Sequence, residues 1–411
     1  MKKMLALLIA VMLLPIFSGC SQLLSSLRPA RAFSPTPTPA GTGDMVSISK
    51  SEYERLKRFE KLSYMLDTME NNYYKEFDSA DLLTGAAQGL LYGLKDPYTF
   101  YYTPQEYAEM WADDEGNYAG IGIQILTSTQ TLMCTVSRVF KGSPALAAGV
   151  LKGDLLLQVE DILVDAYSLQ DAVDIMRGKP GEPVTIKVQR REEILEFTIN
   201  RAQIKVNWIE HTMLENNVGY ILLYEFAGDC RVAFAQALKD LESKGAKSLI
   251  VDLRDNGGGW VDDAEAIADL FLDAGVLCYL QYRNGDKEYY TLKDGKTDIP
   301  LVLLVNAHSA SSSEILAGAL KDYGRATIVG ENTFGKGVVQ HVVYAGEDGS
   351  GMQFTAAQYF TPDGNQVHET GIAPDVEMLL PEEDLTKMFA LGDMADVQLK
   401  TAYEVALGLI K

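Results

Sequence analysis

Between residues 202 and 380, short apolar runs alternate with longer amphipathic segments of helical period. The apolar runs lie at 218–223, 248–253 and 300–306, and the amphipathic segments at 231–244, 261–272 and 313–323. Runs of about six apolar residues suit buried strands, and the longer periodic segments suit helices with one buried face. This alternation is typical of a layered α/β fold, so we predict an α/β core over 202–380.

The region 116–201 has a different character, with short strand-like runs and two short helical segments. The strand-like runs lie at 120–125, 133–140, 183–190 and 195–200, and the helical segments at 143–150 and 168–178. This order resembles a PDZ domain over the whole region. We expect Tyr118, Ala119, Gly120, Ile121 and Gly122 to form the loop whose backbone N–H groups hold a peptide carboxylate, beside a strand edge that pairs with the peptide. The alternative is that the two glycines only shape a turn.

The region 49–115 is predicted to be helical, and so is the tail 381–411. Apolar residues recur at three- and four-residue spacing along the first of these, at Leu56, Phe59, Leu62, Leu66 and Met69. A further helix is expected at 80–94, before a break in the run KDPYTFYYTP. These apolar faces could cover a core or pair with another copy of the chain, so a homodimer is possible.

Residues 1–19 read as a secretory signal peptide, with two lysines, an apolar run and small residues before Cys20. The ending FSGC resembles a bacterial lipobox, in which the cysteine becomes the lipidated N-terminus, although Phe17 replaces the usual Leu. Residues 20–48 include SPTPTPAGTG and read as an extended tether. We expect an extracytoplasmic protein held at the bacterial cell membrane by a lipid on Cys20. The alternative is an uncleaved membrane anchor.

The formal net charge of −21, from 36 basic and 57 acidic residues, argues against binding to the phosphate backbone of nucleic acids. Cys134, Cys230 and Cys278 lie among apolar residues and form no C-x-x-C pair, so buried free thiols are expected. The histidines show no H-x-x-x-H spacing. We expect no metal and no cofactor.

The run GENTFGKG, at 330–337, matches a phosphate-binding loop up to Lys336. Such a loop needs Ser or Thr next and a helix after it, but Gly337 and the strand-like GVVQHVVY follow. Nucleotide binding is therefore disfavoured. On its own Lys336 would be read as a surface lysine in a turn.

Four serines follow an apolar strand in NAHSASSSEIL, where a helix begins. A serine at a strand-to-helix turn is well presented as a nucleophile, because free N–H groups and the helix dipole are close by. The alternative is capping, since Ser311 and Glu314 match a capping box.

A nucleophilic serine needs a base. His308 is too close along the chain to act on Ser311, and no G-x-S-x-G elbow is present. A Ser-Lys pair is the other arrangement, and its lysine must be neutral when it acts. Lys336 lies between two glycines that permit close backbone approach. Gln340 is four residues on, on the same face if the segment is a strand, and could orient the amine.

The run DLRDNGGGW ends another predicted strand and precedes a helix. Its glycines could leave backbone N–H groups free for an oxyanion hole, together with the N–H beside the nucleophile. The alternative is a flexible turn.

Together these motifs resemble the C-terminal processing peptidases, also called tail-specific proteases, from about residue 82 to residue 378. The resemblance is carried by GLKDPYTFYYTPQEY, the PDZ-like region, DLRDNGGG, the block from VNAHSASSSEIL to GKGVVQ, and YFTPDGNQVHETGIAPDVE. It implies Ser311 as nucleophile, Lys336 as base and Gln340 as its orienting residue. It also implies oxyanion-hole N–H groups from Gly257 or Gly258 and from Ser312. Ser312 stands where the family usually has Ala, so Ser311 is assigned by its position in the block.

The resemblance implies a crotonase/ClpP-like α/β protease core with a PDZ domain and N- and C-terminal helices. It predicts a serine endopeptidase that binds exposed protein C-termini and needs no cofactor. In this family the PDZ domain can gate the active site, and terminal helices can join subunits. The rival hypothesis is a catalytically silent binder of peptides or other ligands.

Overall fold

The computed structural model describes residues 46–114, 116–127, 131–293, 297–381, 384, 387 and 389–410. The predicted signal peptide (1–19), the lipidation site Cys20 and nearly all of the tether lie outside these residues. The chain divides into two compact units, one ending at Ser79 and one formed by Ala80–Lys411. Each unit is described separately.

The described part of the first unit is helical, with α1 (Lys50–Lys57) and α2 (Glu60–Asn72). Ser49 caps α1 by accepting a hydrogen bond from the backbone N–H of Glu52, and neither helix contains a buried residue. The apolar residues that predicted these helices are therefore present but remain open to solvent; Leu56, for example, is 54% exposed.

Helix α3 (Ser79–Tyr92) begins at the boundary, and α4 (Pro104–Asp114) follows the short strand β1 (Phe100–Tyr102). The sequence predicted only a break at β1. Its partner is a strand some 250 residues later, which no local pattern reveals. No helix in the described parts of the chain is long and apolar enough to span a bilayer.

The PDZ-like region forms an antiparallel sheet. Its elements are β2 (Asn117–Gly120), β3 (Ile123–Thr127), β4 (Cys134–Val139), α5 (Pro144–Ala148), β5 (Leu155–Val159), β6 (Ile162–Leu163), α6 (Leu169–Met176), β7 (Pro183–Arg190) and β8 (Glu193–Asn200). The main sheet has the order β3-β4-β5-β7-β8, so β3 is an edge strand. Alternating residues of β4 and β7 are buried, which gives this region its own core.

Strand β9 (Ala202–Lys205) pairs with β2 and leads into the α/β core. The first core elements are β10 (Ile209–Met213), a 3-10 turn (Glu215–Asn217), β11 (Val218–Leu223), α7 (Cys230–Ser243), β12 (Ser248–Asp252), α8 (Val261–Ala268), β13 (Gly275–Tyr282) and β14 (Lys287–Leu292). The remaining elements are β15 (Leu301–Val305), α9 (Ser312–Asp322), β16 (Ala326–Gly330), β17 (Val338–Tyr344), β18 (Gly351–Phe360), β19 (Val376–Glu377) and α10 (Val397–Ala406).

The central sheet has the order β10-β11-β12-β15-β16-β19, with every pair parallel except β10 with β11. β12 and β15 are buried at every position, as expected for strands covered on both faces. One face packs on α7, α8 and α9, and the other packs on α10. The buried Arg254 also holds α10, through an ion pair with Asp396 at 2.7 Å.

A second sheet joins β13, β14, β17 and β18 with β1. The segment after Lys336 is therefore a strand, as expected, and the helix that a phosphate-binding loop requires does not follow it. Cys134, Cys230 and Cys278 are buried free thiols, which confirms that prediction.

Candidate active site

The serine run begins in the turn after β15 and ends in the first turn of α9, at the carboxyl end of a central strand. Three of its four serines are buried, and their hydroxyls donate to backbone carbonyls: Ser309 to Leu253 at 2.7 Å, Ser312 to Gly259 at 2.7 Å and Ser313 to Asn256 at 3.0 Å. The hydroxyl of Ser311 donates to no group in the described part of the chain, and Ser311 lines an open cleft. Within the run, Ser311 is thus the serine whose hydroxyl proton is available.

The backbone of Ser311 is strained. Its φ of 57° and ψ of −116° are unusual for a residue with a side chain and cost about 1–3 kcal/mol. Its N–H donates to Glu314 Oε2 at 2.9 Å, and its carbonyl accepts from the Tyr359 hydroxyl at 3.2 Å. The capping box with Glu314 is therefore present. In this box the Ser311 N–H donates and its side-chain oxygen only accepts, so capping leaves the hydroxyl proton free and is compatible with a nucleophilic role.

Lys336 lies in the turn between β16 and β17 and is half-buried. Burial strips water from the ammonium group and lowers the pKa of Lys336, while the carboxylates of Glu314 and Asp96 act in the opposite direction. Its Nζ lies 4.8 Å from the centre of the Tyr98 ring. The flanking Gly337 is needed for close packing, because a Cβ there would lie 2.1 Å from the backbone nitrogen of His368.

Gln340 lies in β17 and lines the same cleft as Ser311 and Lys336. Its Nε2 is 3.4 Å from Thr355 Oγ1. Lys336 precedes β17, so the condition that one strand contains both residues is not met, although Lys336 and Gln340 do line the same cleft. The three side chains share one cleft, but no hydrogen bond joins them to one another in the described structure.

The glycine run follows β12 and lies against Ser311. Gly258 has a φ of 105°, and a Cβ there would lie 2.7 Å from Cβ of Ser311. The N–H of Gly258 already donates to Asn256 Oδ1 at 2.9 Å. The N–H groups of Gly257 and Ser312 have no acceptor within the described residues. Of the three expected oxyanion-hole residues, Gly257 and Ser312 therefore remain the candidate donors.

The cleft has a volume of about 920 Å³ and lies between the core, α4 and α6. A second groove of about 290 Å³ lies beside β3 and α6. The two share the lining residues Val173, Arg177, Trp208 and Glu225. The PDZ-like groove and the cleft lined by Ser311 are therefore neighbours.

The expected carboxylate loop borders the second groove. Tyr118, Ala119 and Gly120 form part of β2, which pairs with β9. Ile121 and Gly122 follow the strand, and their N–H groups have no acceptor among the described residues. These two N–H groups, next to the open edge of β3, could receive a peptide carboxylate.

Comparison with known proteins gives three domain matches. Peptidase family S41 matches residues 217–378, a PDZ domain matches residues 135–190, and the N-terminal domain of the activating protease CtpB matches residues 38–105. A probable CtpA-like serine protease of Staphylococcus aureus (strain COL) is 34% identical over 365 residues, 86% of this chain and 72% of that protein. The carboxy-terminal processing protease CtpA of Bacillus subtilis (strain 168) is 33% identical over 345 residues, 82% of this chain and 73% of that protein. The chain belongs to the C-terminal processing peptidases of family S41.

Solved structures agree with this assignment. The photosystem II D1 C-terminal processing protease is 27% identical, with a TM-score of 0.57, over 86% of this chain and 98% of that one. A putative S41 protease from Bacteroides fragilis shares the fold at 14% identity and a TM-score of 0.56, over 83% of this chain and 92% of that one. The predicted family and the α/β fold with a PDZ domain are confirmed, and the protein is a serine-type peptidase by family.

Three residues of this peptidase site were missed or undervalued by the sequence analysis. Glu314 was considered only as a cap, but it contacts both the serine and the lysine segments. Asp96 and Tyr98 were read only as part of a helix break, but they approach Lys336. The motif KDPYTF carried the signal for these last two, because it was one of the segments that supported the family resemblance.

Proposed function

We propose that this peptidase is an endopeptidase that captures exposed protein C-termini in its PDZ groove and cleaves the chain through an acyl-enzyme on Ser311. The observation that carries this proposal is the environment of the serine run. Among the described residues, the hydroxyls of Ser309, Ser312 and Ser313 donate to backbone carbonyls, whereas that of Ser311 has no acceptor and lines the cleft.

In the proposed reaction, Ser311 Oγ attacks the scissile carbonyl carbon while its proton passes to the neutral amine of Lys336. The N–H groups of Gly257 and Ser312 stabilise the oxyanion. Collapse of the intermediate breaks the C–N bond, and the Lys336 ammonium protonates the leaving amine. Water then attacks the ester carbonyl carbon and gives a proton to Lys336. As the second intermediate collapses, the C–O bond to Ser311 breaks, the Lys336 ammonium returns that proton to Ser311 Oγ, and the product acid ionises to a carboxylate.

The environment of Lys336 supports this role. A lysine with the ordinary pKa is almost wholly protonated at neutral pH and cannot accept a proton. Burial lowers the pKa of Lys336 and so raises the neutral fraction. We infer that Gln340 orients the amine through its side-chain oxygen after a small movement away from Thr355.

The shared lining of the groove and the cleft supports delivery of the substrate. A C-terminal peptide added along β3 would place its carboxylate at Ile121 and Gly122, and the upstream chain could continue past Trp208 towards Ser311.

We also propose that the enzyme acts outside the cytoplasm, tethered to the bacterial membrane by a lipid on Cys20. This rests on the leader and lipobox-like ending alone. Pairing of two copies through the exposed apolar faces of α1 and α2 is a further proposal, motivated by the 43–54% exposure of Leu56, Phe59 and Leu62.

One observation favours a second candidate, a silent binder. No hydrogen bond joins the side chains of Ser311, Lys336 and Gln340 in the described structure. A resting enzyme whose site closes on substrate, or a protein that only binds tails, would both have this geometry.

The test is digestion of an unstructured protein with an apolar C-terminus, followed by mass spectrometry, using a soluble form of the chain that begins at residue 46. Wild type should cleave, and Ser311→Ala and Lys336→Ala should not. Cleavage that survives Ser311→Ala would mean that another serine is the nucleophile. If the wild type binds tail peptides without cleaving any protein, the silent binder is the better description.

A further inference from the structure

Glu314, in the first turn of α9, is completely buried. Its Oε2 accepts hydrogen bonds from the backbone N–H of Ser311 at 2.9 Å and from that of Lys336 at 2.8 Å. Its Oε1 accepts from the backbone N–H of Gly335 and from the Thr333 hydroxyl, both at 2.6 Å. A single carboxylate oxygen is thus shared by the amides of the proposed nucleophile and the proposed base.

This arrangement suits only a carboxylate. All four neighbours donate and none accepts, which is the hydrogen-bonding pattern of an ionised carboxyl group. Burial of an unpaired charge is costly unless hydrogen bonds compensate it, and bonds to a charged acceptor are stronger than neutral ones. A glutamine of the same size would turn an N–H group towards two of these donors, and an aspartate would be one methylene too short to reach both segments.

We propose that Glu314 is the positioning residue that holds the serine segment and the lysine segment of the active site in register. The inference rests on the proposed Ser-Lys function and deepens it. Glu314 contacts the backbone of both residues and takes no part in bond making. We call Glu314 and the four groups that donate to it the brace. Thr333 extends the brace, since its hydroxyl oxygen accepts from the Ile372 N–H at 2.7 Å. The same carboxylate also holds the strained backbone of Ser311, through the hydrogen bond from the Ser311 N–H.

The brace also has an electrostatic consequence. The charged groups that act on Lys336 are Glu314 and Asp96, with His368 acting in turn on Asp96 and the Tyr98 ring facing the amine. Both carboxylates favour the ammonium form. Removing the charge of Glu314 should lower the pKa of Lys336, so that the amine becomes neutral at a lower pH.

The experiment compares wild type, Glu314→Gln, Glu314→Asp and Asp375→Asn on a fluorogenic peptide with a free apolar C-terminus, as a function of pH. Asp375 is the matched control. Its carboxylate accepts from the Ile328 N–H at 2.9 Å and pairs with Lys321 at the other end of α9, away from the cleft. All four proteins are also compared by thermal unfolding.

We expect Glu314→Gln to lower kcat roughly 100-fold with little change in KM, because misplacement of reacting groups by about 1 Å has an effect of that size. The acid limb of its pH–activity profile should also move to lower pH, because the pKa of Lys336 falls when the charge of Glu314 is removed. Glu314→Asp retains the charge, so it should lose about tenfold in kcat with the limb unmoved. Asp375→Asn should lose thermal stability but keep both the kcat and the pH profile of the wild type.

The inference is overturned if Glu314→Gln is less stable but has wild-type kcat and an unmoved acid limb, since Glu314 would then be structural only. If Glu314→Gln does not fold, Glu314→Asp decides alone, and kcat within twofold of wild type would reject the brace. Lack of cleavage by the wild type would be a different result, because it rejects the proposed function itself.

Discussion

The two regions that meet at the cleft are built in opposite ways. Around Ser311 and Lys336 the backbone is closed, with buried Glu314 accepting four hydrogen bonds that tie two segments together. The PDZ groove is left open, because within the described residues one edge of β3 has no strand partner and the N–H groups of Ile121 and Gly122 have no acceptor. Chemistry needs groups held before substrate arrives, whereas recognition by strand addition needs backbone groups that only the ligand completes.

The comparison predicts that changes in the core act on the rate of chemistry and that changes in the groove act on substrate capture. The largest effect is expected at the base. Lys336→Arg keeps the positive charge but cannot accept a proton, so kcat should fall by at least about 10³-fold. Lys321→Arg, on the exposed side of α9, is the control and should retain activity. Substantial cleavage by Lys336→Arg would exclude Lys336 as the base.

The pH dependence should show the same chemistry. Because burial lowers the pKa of Lys336 and the reaction needs the neutral amine, activity should rise with pH. The midpoint of the rise in kcat/KM should lie below the ordinary lysine pKa of about 10.4. On the acid side of the midpoint, kcat/KM should change about tenfold per pH unit. The measurement is kcat/KM from pH 5 to 10. A profile that is flat over this range would argue against a lysine base.

Filling the close contact between the glycine run and Ser311 should lower kcat nearly as much as replacing Lys336. Gly258→Ala would place a Cβ 2.7 Å from Ser311 Cβ at a φ of 105°. We expect roughly a 100-fold loss of kcat and a stability loss of about 1–3 kcal/mol. Gly89→Ala, where nothing lies within 4 Å of the added Cβ, is the control. Equal activities of the two variants would show that the glycine run does not shape the site.

A smaller effect, confined to KM, is expected in the groove. Gly122→Ala would bring a Cβ to 2.4 Å from Ser143 Cβ at a φ of 82°. KM for a substrate with a free C-terminus should rise about tenfold, whereas an amidated substrate should be unaffected. Gly142→Ala, also at positive φ but with open space around it, controls for backbone strain. If Gly122→Ala changes kcat rather than KM, the groove does not act on substrate capture alone, and the proposed division of roles between the two regions is wrong.

The smallest effect on the cleavage rate should come from the charged side chains that line the cleft. Glu106, Glu109, Asp174 and Glu225 line it against two cations, Arg177 and Lys336. A peptide with Lys near the cleavage point should be cut a few-fold faster than one with Glu, and the difference should shrink in 0.5 M salt. If the two peptides are cut equally at low salt, these carboxylates do not select substrates.

Much of the fold was predictable from the sequence. The strands β11, β12 and β15 and the helices α7 and α9 were located within a few residues, because burial on one or two faces leaves a periodic signal along the chain. β1 was missed, since a three-residue strand has no period and exists through pairing with β18.

The candidate site was predictable in part. The residue types and their spacing made the serine run, Lys336 and Gln340 candidates, and the family resemblance selected Ser311 from the run and gave the three residues their expected roles. The sequence could not distinguish the free hydroxyl of Ser311 from its bonded neighbours. It could not show that the Gly258 N–H already donates to Asn256, nor that the pairing of β17 with β18 shifts register beside Gln340.

By itself, then, the sequence determined most of the core elements, the family and the candidates for the reactive residues, because these depend on local periodicity and on motifs. Only the tertiary structure decided which polar groups remain free and which are braced. Hydrogen-bond satisfaction depends on segments far apart in the chain, as when Glu314 reaches Lys336 and Tyr359 reaches Ser311. No pattern of residues within one segment predicts such contacts. The difference between the closed candidate site and the open groove follows from them.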